Sequence, residues 1–171
     1  MEEEWSPVWE FPEYWISNRG LIRHNVRNHF LTCLVNNTGS HYVSLWRHGK
    51  VYNRSLPKLV AQAFLDTPKH ESFDTTINLN GNRRDNRADN LAWRPTWFAR
   101  RYHRQFNNNE RGYKCPVVLL DTGERFDTSW EAAVKYGLID RDILVATVNG
   151  EPVWPHDFTF QALIRTPYRT L

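Results

Sequence analysis

The sequence is poor in cysteine, contains no long apolar run and carries little excess charge. Its two cysteines, Cys33 and Cys115, lie far apart and outside any CxxC pair. That spacing excludes a zinc site built on paired thiolates and lends no support to a structural disulfide. Free thiols in a reducing compartment are expected. No apolar stretch approaches the roughly 20 residues that cross a bilayer as a helix. The start, Met1-Glu2-Glu3-Glu4-Trp5, is acidic and lacks the basic-then-apolar layout of a secretion signal. A soluble, intracellular protein with no membrane partner is expected. The net charge is only +3, so bulk composition demands no polyanionic partner.

What is present is globular in character, with 40% hydrophobic and 24% charged residues in a chain of 171. That length suits one domain, or two or three small modules in series. Eight tryptophans are many, and they can supply core in modules too small to bury many aliphatics.

Residues 1–65 read as short strands followed by a helix. Tyr14-Trp15-Ile16-Ser17 and Leu21-Ile22-Arg23 flank Asn18-Arg19-Gly20, a turn signal that predicts a hairpin. His41 to Trp46 alternates as a strand, and Arg47-His48-Gly49-Lys50 turns the chain into Val51-Tyr52. Pro57 to Phe64 predicts a helix with proline in its tolerated first turn.

Residues 66–112 are polar and locally basic. Arg83, Arg84, Arg87, Arg94, Arg100, Arg101, Arg104, Arg111 and Lys114 crowd together, opposed by Asp85, Asp89 and Glu110. Trp93, Trp97, Phe98, Tyr102 and Phe106 interleave with them. Arginines mixed with aromatics suit phosphates, grooves or unpaired bases, although a solvated basic helix with its aromatics in the core has the same pattern. Trp93 itself is expected in the core.

Residues 113–171 open on a strand, Pro116 to Leu120, with a turn at Asp121-Thr122-Gly123. Thr128-Ser129-Trp130-Glu131 offers an N-cap with an acid in the first turn, predicting a helix from Ser129 to Tyr136 that stops at Gly137. A second helix is expected over Arg141–Val148, and Phe158-Thr159-Phe160 reads as a returning strand. Two short helices across a glycine turn make a helix-turn-helix candidate.

Taken in order, the three segments resemble the phage intron-associated HNH homing endonucleases over nearly the whole chain. Trp9-Glu10, Tyr14, Ser17 to Arg23, Tyr42 to Leu45 and Leu59 to Leu65 match the module often appended at their N-terminus. Asn80-Gly81-Asn82, Asp85-Asn86 and Asn90-Leu91-Ala92-Trp93 match the ββα-metal motif. Gly123, Phe126, Ser129, Glu131 to Ala133, Gly137-Leu138, Asn149-Gly150 and Phe158 to Phe160 match the C-terminal helix-turn-helix repeat. The resemblance implies an α+β fold of small modules: a β-rich module over 1–65, an HNH core with a basic aromatic extension over 66–112, and a helix-turn-helix module over 113–171.

It also implies a chemistry, and there the sequence departs from the family. A histidine at the end of the first strand should take a proton from water, while an acidic neighbour and a helix Asn or His hold one divalent cation. Aligned from Asn90 back through Gly81, that acid-histidine pair falls on Ile77-Asn78. Isoleucine ligates no metal, and an amide has no accessible proton-accepting pKa, so Asn78 can orient a water but not deprotonate it. The middle Asn falls on Asn86 and the helix position on Asn90, while Asp74 offers a displaced metal ligand. None of the seven histidines lies in the motif, His70 and His103 being its nearest neighbours in sequence. The histidine that usually opens the preceding helix is missing too, with Pro57 near its place.

The expectation is a double-stranded DNA-binding protein derived from such an enzyme and unable to cleave. It would work as a monomer in the cytoplasm of a phage-infected bacterium, with no cofactor, or Mg2+ if cleavage survives. Arg83, Arg84, Arg87, Arg94, Arg100, Arg101 and Arg104 would meet DNA, and Arg141, Asp142 and Thr147 would do so from the second C-terminal helix. Two alternatives stand beside it. One is a divergent metal-dependent nickase using Asp74, Asn90 and a water held by Asn78. The other is a phage protein that binds and inhibits a host nucleic-acid enzyme such as RNA polymerase, through its many aromatic residues.

Overall fold

The computed structural model describes residues 2–107 and 115–163, and they form two compact units, one ending at Ala99 and the other beginning at Arg100. The first unit holds two small antiparallel sheets, a helix and a hairpin. Strands β1 (Trp5–Val8), β2 (Phe11–Ser17), β3 (Ile22–His24) and β4 (His29–Phe30) pair in that order. Strands β5 (Leu34–Val35), β6 (His41–Arg47) and β7 (Lys50–Ser55) make the second sheet. Alternation along β2 and β6 turns Tyr14, Ile16, Val43 and Leu45 inward, where they pack with Ile22. Helix α1 (Leu56–Phe64) begins one residue before the expected Pro57 and adds Leu56, Leu59 and Val60 to the same core. Each such side chain contributes about 1.5–3 kcal/mol by burial. The Tyr14 hydroxyl accepts from the Trp46 amide at 3.1 Å, tying one sheet to the other.

Strands β8 (Thr75–Asn78) and β9 (Leu91–Arg94) form an antiparallel hairpin with a long connection over 79–90, and α2 (Thr96–Gln105) follows. Leu91 of β9 belongs to the same hydrophobic cluster as β2, β6 and α1, and Ala88 packs against it. Ala88 and Leu91, from the expected segment 66–112, thus share the core of residues 1–65. The turn at 17–20 shows the same union. Asn18 accepts from the Ala88 amide through its carbonyl at 2.8 Å. Gly20, at φ +80°, lies so close to the hairpin connection that a Cβ there would stand 3.1 Å from the Asn86 carbonyl oxygen. Glycine is needed at this position both for its left-handed backbone and for that approach.

In the second unit β10 (Val117–Leu119) lies between β11 (Glu124–Phe126) and β12 (Phe160–Ala162). The expected helix Ser129–Tyr136 is α3, and the second helix, α4, extends the expected span to Asp140–Asn149. Thr128 caps α3 by accepting from the Glu131 amide at 3.2 Å, and Gly137 ends it at φ 63°. Gly150 ends α4 in the same conformation. The buried Asp140, at the first residue of α4, accepts from the Ser129 hydroxyl, which locks the start of α3 to the start of α4. Val117, Leu119, Ala132, Leu138 and Ile143 form the core beneath them. No helix among the described residues is long and apolar enough to cross a membrane.

Candidate nucleic-acid interface

Short-range turn chemistry shapes the connection between β8 and β9. The Asn82 side chain accepts from the Arg84 amide, the Asn80 side chain accepts from the Asn82 amide, and Gly81 takes a positive φ. Three buried asparagines then close the connection from within: Asn78, Asn86 and Asn90. Asn78, at the end of β8 and 4% exposed, donates to the Asp85 carbonyl at 2.8 Å and to Asn86 Oδ1 at 3.2 Å. Asn90 accepts from the Asn80 amide at 3.0 Å and donates to Asn80 Oδ1 at 3.0 Å and to the Asp85 carbonyl at 2.8 Å.

These contacts change the reading of Asn90. The resemblance placed it on the motif's helix as a metal ligand. It lies instead in a short 3-10 turn, Ala88–Asn90, just before β9, with both ends of its amide engaged by the connection. Asp74 is occupied as well, its carboxylate accepting from the Thr96 amide at 3.2 Å and hydroxyl at 3.1 Å at the start of α2. Ile77 is wholly buried. Among the described residues no three His, Cys, Asp or Glu side chains gather. A hard divalent cation prefers carboxylate and carbonyl oxygens with free lone-pair directions, so the donors present do not fit one.

The arginines separate into distinct groups. Arg94 is withdrawn from the expected DNA-binding set: it is 4% exposed, donates to the Trp93 carbonyl at 2.7 Å and sits over the Phe98 ring. Burial inside the unit, not surface charge, is what its position in β9 decides. Trp93, expected in the core, is half-buried. Arg83 donates to the Thr38 carbonyl at 2.6 Å. Arg87 is exposed but grips both Asp85 oxygens, at 2.9 and 3.0 Å, and nears Asp89 at 3.8 Å. Arg101 pairs with Asp142 at 2.9 Å. Arg84, Arg100, Arg104 and Arg141 are exposed, with no ion pair among the described residues. On α2 the exposed Trp97, Arg100, Arg101 and Arg104 recur at helical spacing along one face, with Phe98 and Tyr102 buried behind. The Thr147 hydroxyl is turned back to the Leu144 carbonyl at 2.7 Å. Arg111 and Lys114 lie outside the described residues.

The Arg87 side-chain hydrogen bonds, with a further bond from Asn80, hold the Asp85 carboxyl below its usual value near 3.8. A depressed folded-state pKa adds stability that is complete above the unfolded value and lost as pH falls through the folded one. Asp85→Asn is therefore expected to lower the melting temperature at neutral pH, with the gap to the parent closing as the pH drops below that range. An unchanged gap at low pH would mean the loss comes from the geometry of the connection alone.

The structure is similar to a solved structure of the HNH homing endonuclease I-HmuI, described as DNA binding and cleavage by that enzyme. The similarity covers 95% of this chain and 99% of that one, with a TM-score of 0.53 and 17% identity. The protein has an HNH-like fold. No protein-family model matches the sequence, and no curated protein does. At this identity the likeness speaks for the fold alone, and the roles of HNH positions have to come from the residues that occupy them. One residue near those positions escaped the sequence entirely. His41, the first residue of β6, places its Nδ1 atom 3.0 Å from Asn86 Nδ2 although 45 positions separate the two. No local pattern could reveal it, because only the packing of β6 against the hairpin connection makes the contact.

Proposed function

We propose that this protein binds double-stranded DNA through an HNH-like fold that has lost its cleavage chemistry. In this reading it is a retired phage homing endonuclease acting as a monomer in the cytoplasm of an infected bacterium. The observation that carries the reading is the exchange of catalytic groups for structural amides. Asn78 stands where a base is needed, and both it and Asn90 are consumed by the connection they hold together. Loss of a general base costs about 10²–10⁴-fold in rate. The loss of the acidic position to Ile77 deepens it. What the connection still offers outward is guanidinium: Arg84 without an ion pair among the described residues, Arg83 with one guanidinium nitrogen on the Thr38 carbonyl, and Arg87 partly neutralised by Asp85.

The second unit supports DNA binding by its own means. Along α4 the exposed Arg141, Val145 and Val148 lie at helical spacing, and Val148 is 83% exposed. An arginine beside exposed valines suits a major groove, where guanine offers paired acceptors and thymine offers a methyl group. In this role α3 and α4 act as a helix-turn-helix reader. Thr147 contributes less, since its hydroxyl proton is already given to Leu144.

The test is a supercoiled plasmid incubated with the protein in Mg2+ and then Mn2+, with binding measured at two salt concentrations. The plasmid should stay supercoiled. A complex making about six phosphate contacts should weaken roughly 10³-fold between about 50 and 200 mM salt. Metal-dependent nicking would sink the loss of cleavage, and salt-insensitive or absent binding would sink the DNA reading.

A further inference from the structure

We propose that His41 is a DNA-phosphate contact of this site, held by the Asn78–Asn86 amide relay as a neutral imidazole whose proton points outward on Nε2. This rests on the reading of the connection as a DNA surface, and it names a residue that reading did not include.

The tautomer follows from which atoms can only accept. The side-chain atom of Asn78 that lies 2.8 Å from the Asp85 carbonyl oxygen must be nitrogen, because a carbonyl donates nothing. That nitrogen also lies 3.2 Å from a side-chain atom of Asn86, which must therefore be the oxygen. The remaining Asn86 atom is nitrogen, consistent with its 3.5 Å approach to the Arg84 carbonyl. It donates to His41 Nδ1 at 3.0 Å, so that ring nitrogen carries the lone pair. A neutral imidazole has one N–H, and here it is on Nε2. His41 is half-buried. Its Nε2 has no hydrogen bond among the described residues and is not one of the buried unpartnered atoms, so it is not sealed from solvent.

Its surroundings suit an anion. Arg83 reaches the turn that leads into β6, bonding the Thr38 carbonyl and lying alongside Gly39. The exposed Arg84 follows it. A phosphate oxygen accepts from Nε2–H as it does from other neutral side-chain donors, more weakly than from an arginine fork. The same tautomer denies His41 the role its neighbours have lost. A base must present a lone pair to water, and this ring presents a proton.

Two substitutions separate the inner bond from the outer one. Asparagine places its amide oxygen near Nδ1 and keeps the bond with Asn86, but its NH2 falls short of the Nε2 position. Glutamine reaches the Nε2 position and keeps an outward N–H. With linear plasmid DNA at low salt, His41→Asn should bind roughly five- to tenfold more weakly, the worth of one hydrogen bond. His41→Gln should stay within about twofold of the parent. Neither should change the dependence of affinity on salt, since a neutral donor releases no counterion, whereas Arg84→Gln should flatten that slope by about one. Parent-like binding by His41→Asn overturns the proposal, and so does a flattened slope, which would mark a cationic contact. If Arg84→Gln behaves as stated while His41→Asn does not, the His41 inference alone has failed. If the parent shows no salt-dependent binding, the DNA reading has failed with it. Long-range proton–nitrogen NMR on the parent protein reads the ring without DNA, and a proton found on Nδ1 would refute the relay whatever the variants do.

Discussion

Replacing Ile77 by aspartate is expected to remove about 3–5 kcal/mol of folding stability and to restore no metal site. On the HNH pattern this is the obvious repair, returning an acid to the position before Asn78. In the folded protein, however, the Ile77 side chain is 0% exposed on β8, opposite Ala92 of β9. The substitution discards the burial of a large aliphatic group, worth about 2–5 kcal/mol when truncated in other cores. It also leaves a carboxyl with no hydrogen-bonding partner there. The introduced carboxyl will hold its proton to escape the charge, so its folded-state pKa lies above the unfolded one. The deficit is then greatest at neutral pH and shrinks as the pH is lowered. Urea unfolding at two pH values measures both effects, with Ile77→Val as a control expected to cost about 0.5–1.5 kcal/mol. A variant as stable as the parent that also gains stability from Mg2+ or Mn2+ would mean position 77 opens into a cation site.

Asn90→Ala should be the next most damaging change, at about 2–4 kcal/mol. Its amide satisfies the Asn80 amide and the Asp85 carbonyl, and a buried group left unpaired costs about 1–3 kcal/mol. Asn90→Asp discriminates between roles more sharply. A metal ligand should tolerate or favour the charged oxygen, because hard cations prefer carboxylates. A structural amide should not, since the new carboxylate would face Asn80 Oδ1 and the Asp85 carbonyl, both of them acceptors. Both variants are expected to melt early, and Mg2+ should not rescue either. Rescue of Asn90→Asp by the cation would return Asn90 to the metal.

Much of the local structure is legible in the sequence. Gly20, Gly137 and Gly150 mark left-handed turns, and Thr128 with Glu131 marks the start of α3 to the residue. Alternation over 41–46 marks β6. The turn at Gly81 was legible too, since glycine and the asparagines around it are turn formers. Strand β1 was missed: Trp5-Ser6-Pro7-Val8 carries proline and no alternation, and it is a strand because β2 lies beside it.

The candidate site was legible only as a set of positions. The sequence by itself determined what the site lacks, because residue type alone makes Ile77 unable to ligate and Asn78 unable to take a proton. It also determined where charge accumulates along the chain. Only the tertiary structure decided what those residues do. It buried Arg94, gave Asn90 to the hairpin connection, committed Asp74 to α2 and brought His41 against Asn86. The physical reason is range. Turns, caps and periodicity are set by backbone preferences within a few residues, whereas a side chain's hydrogen-bond partners depend on which distant segments the core brings together.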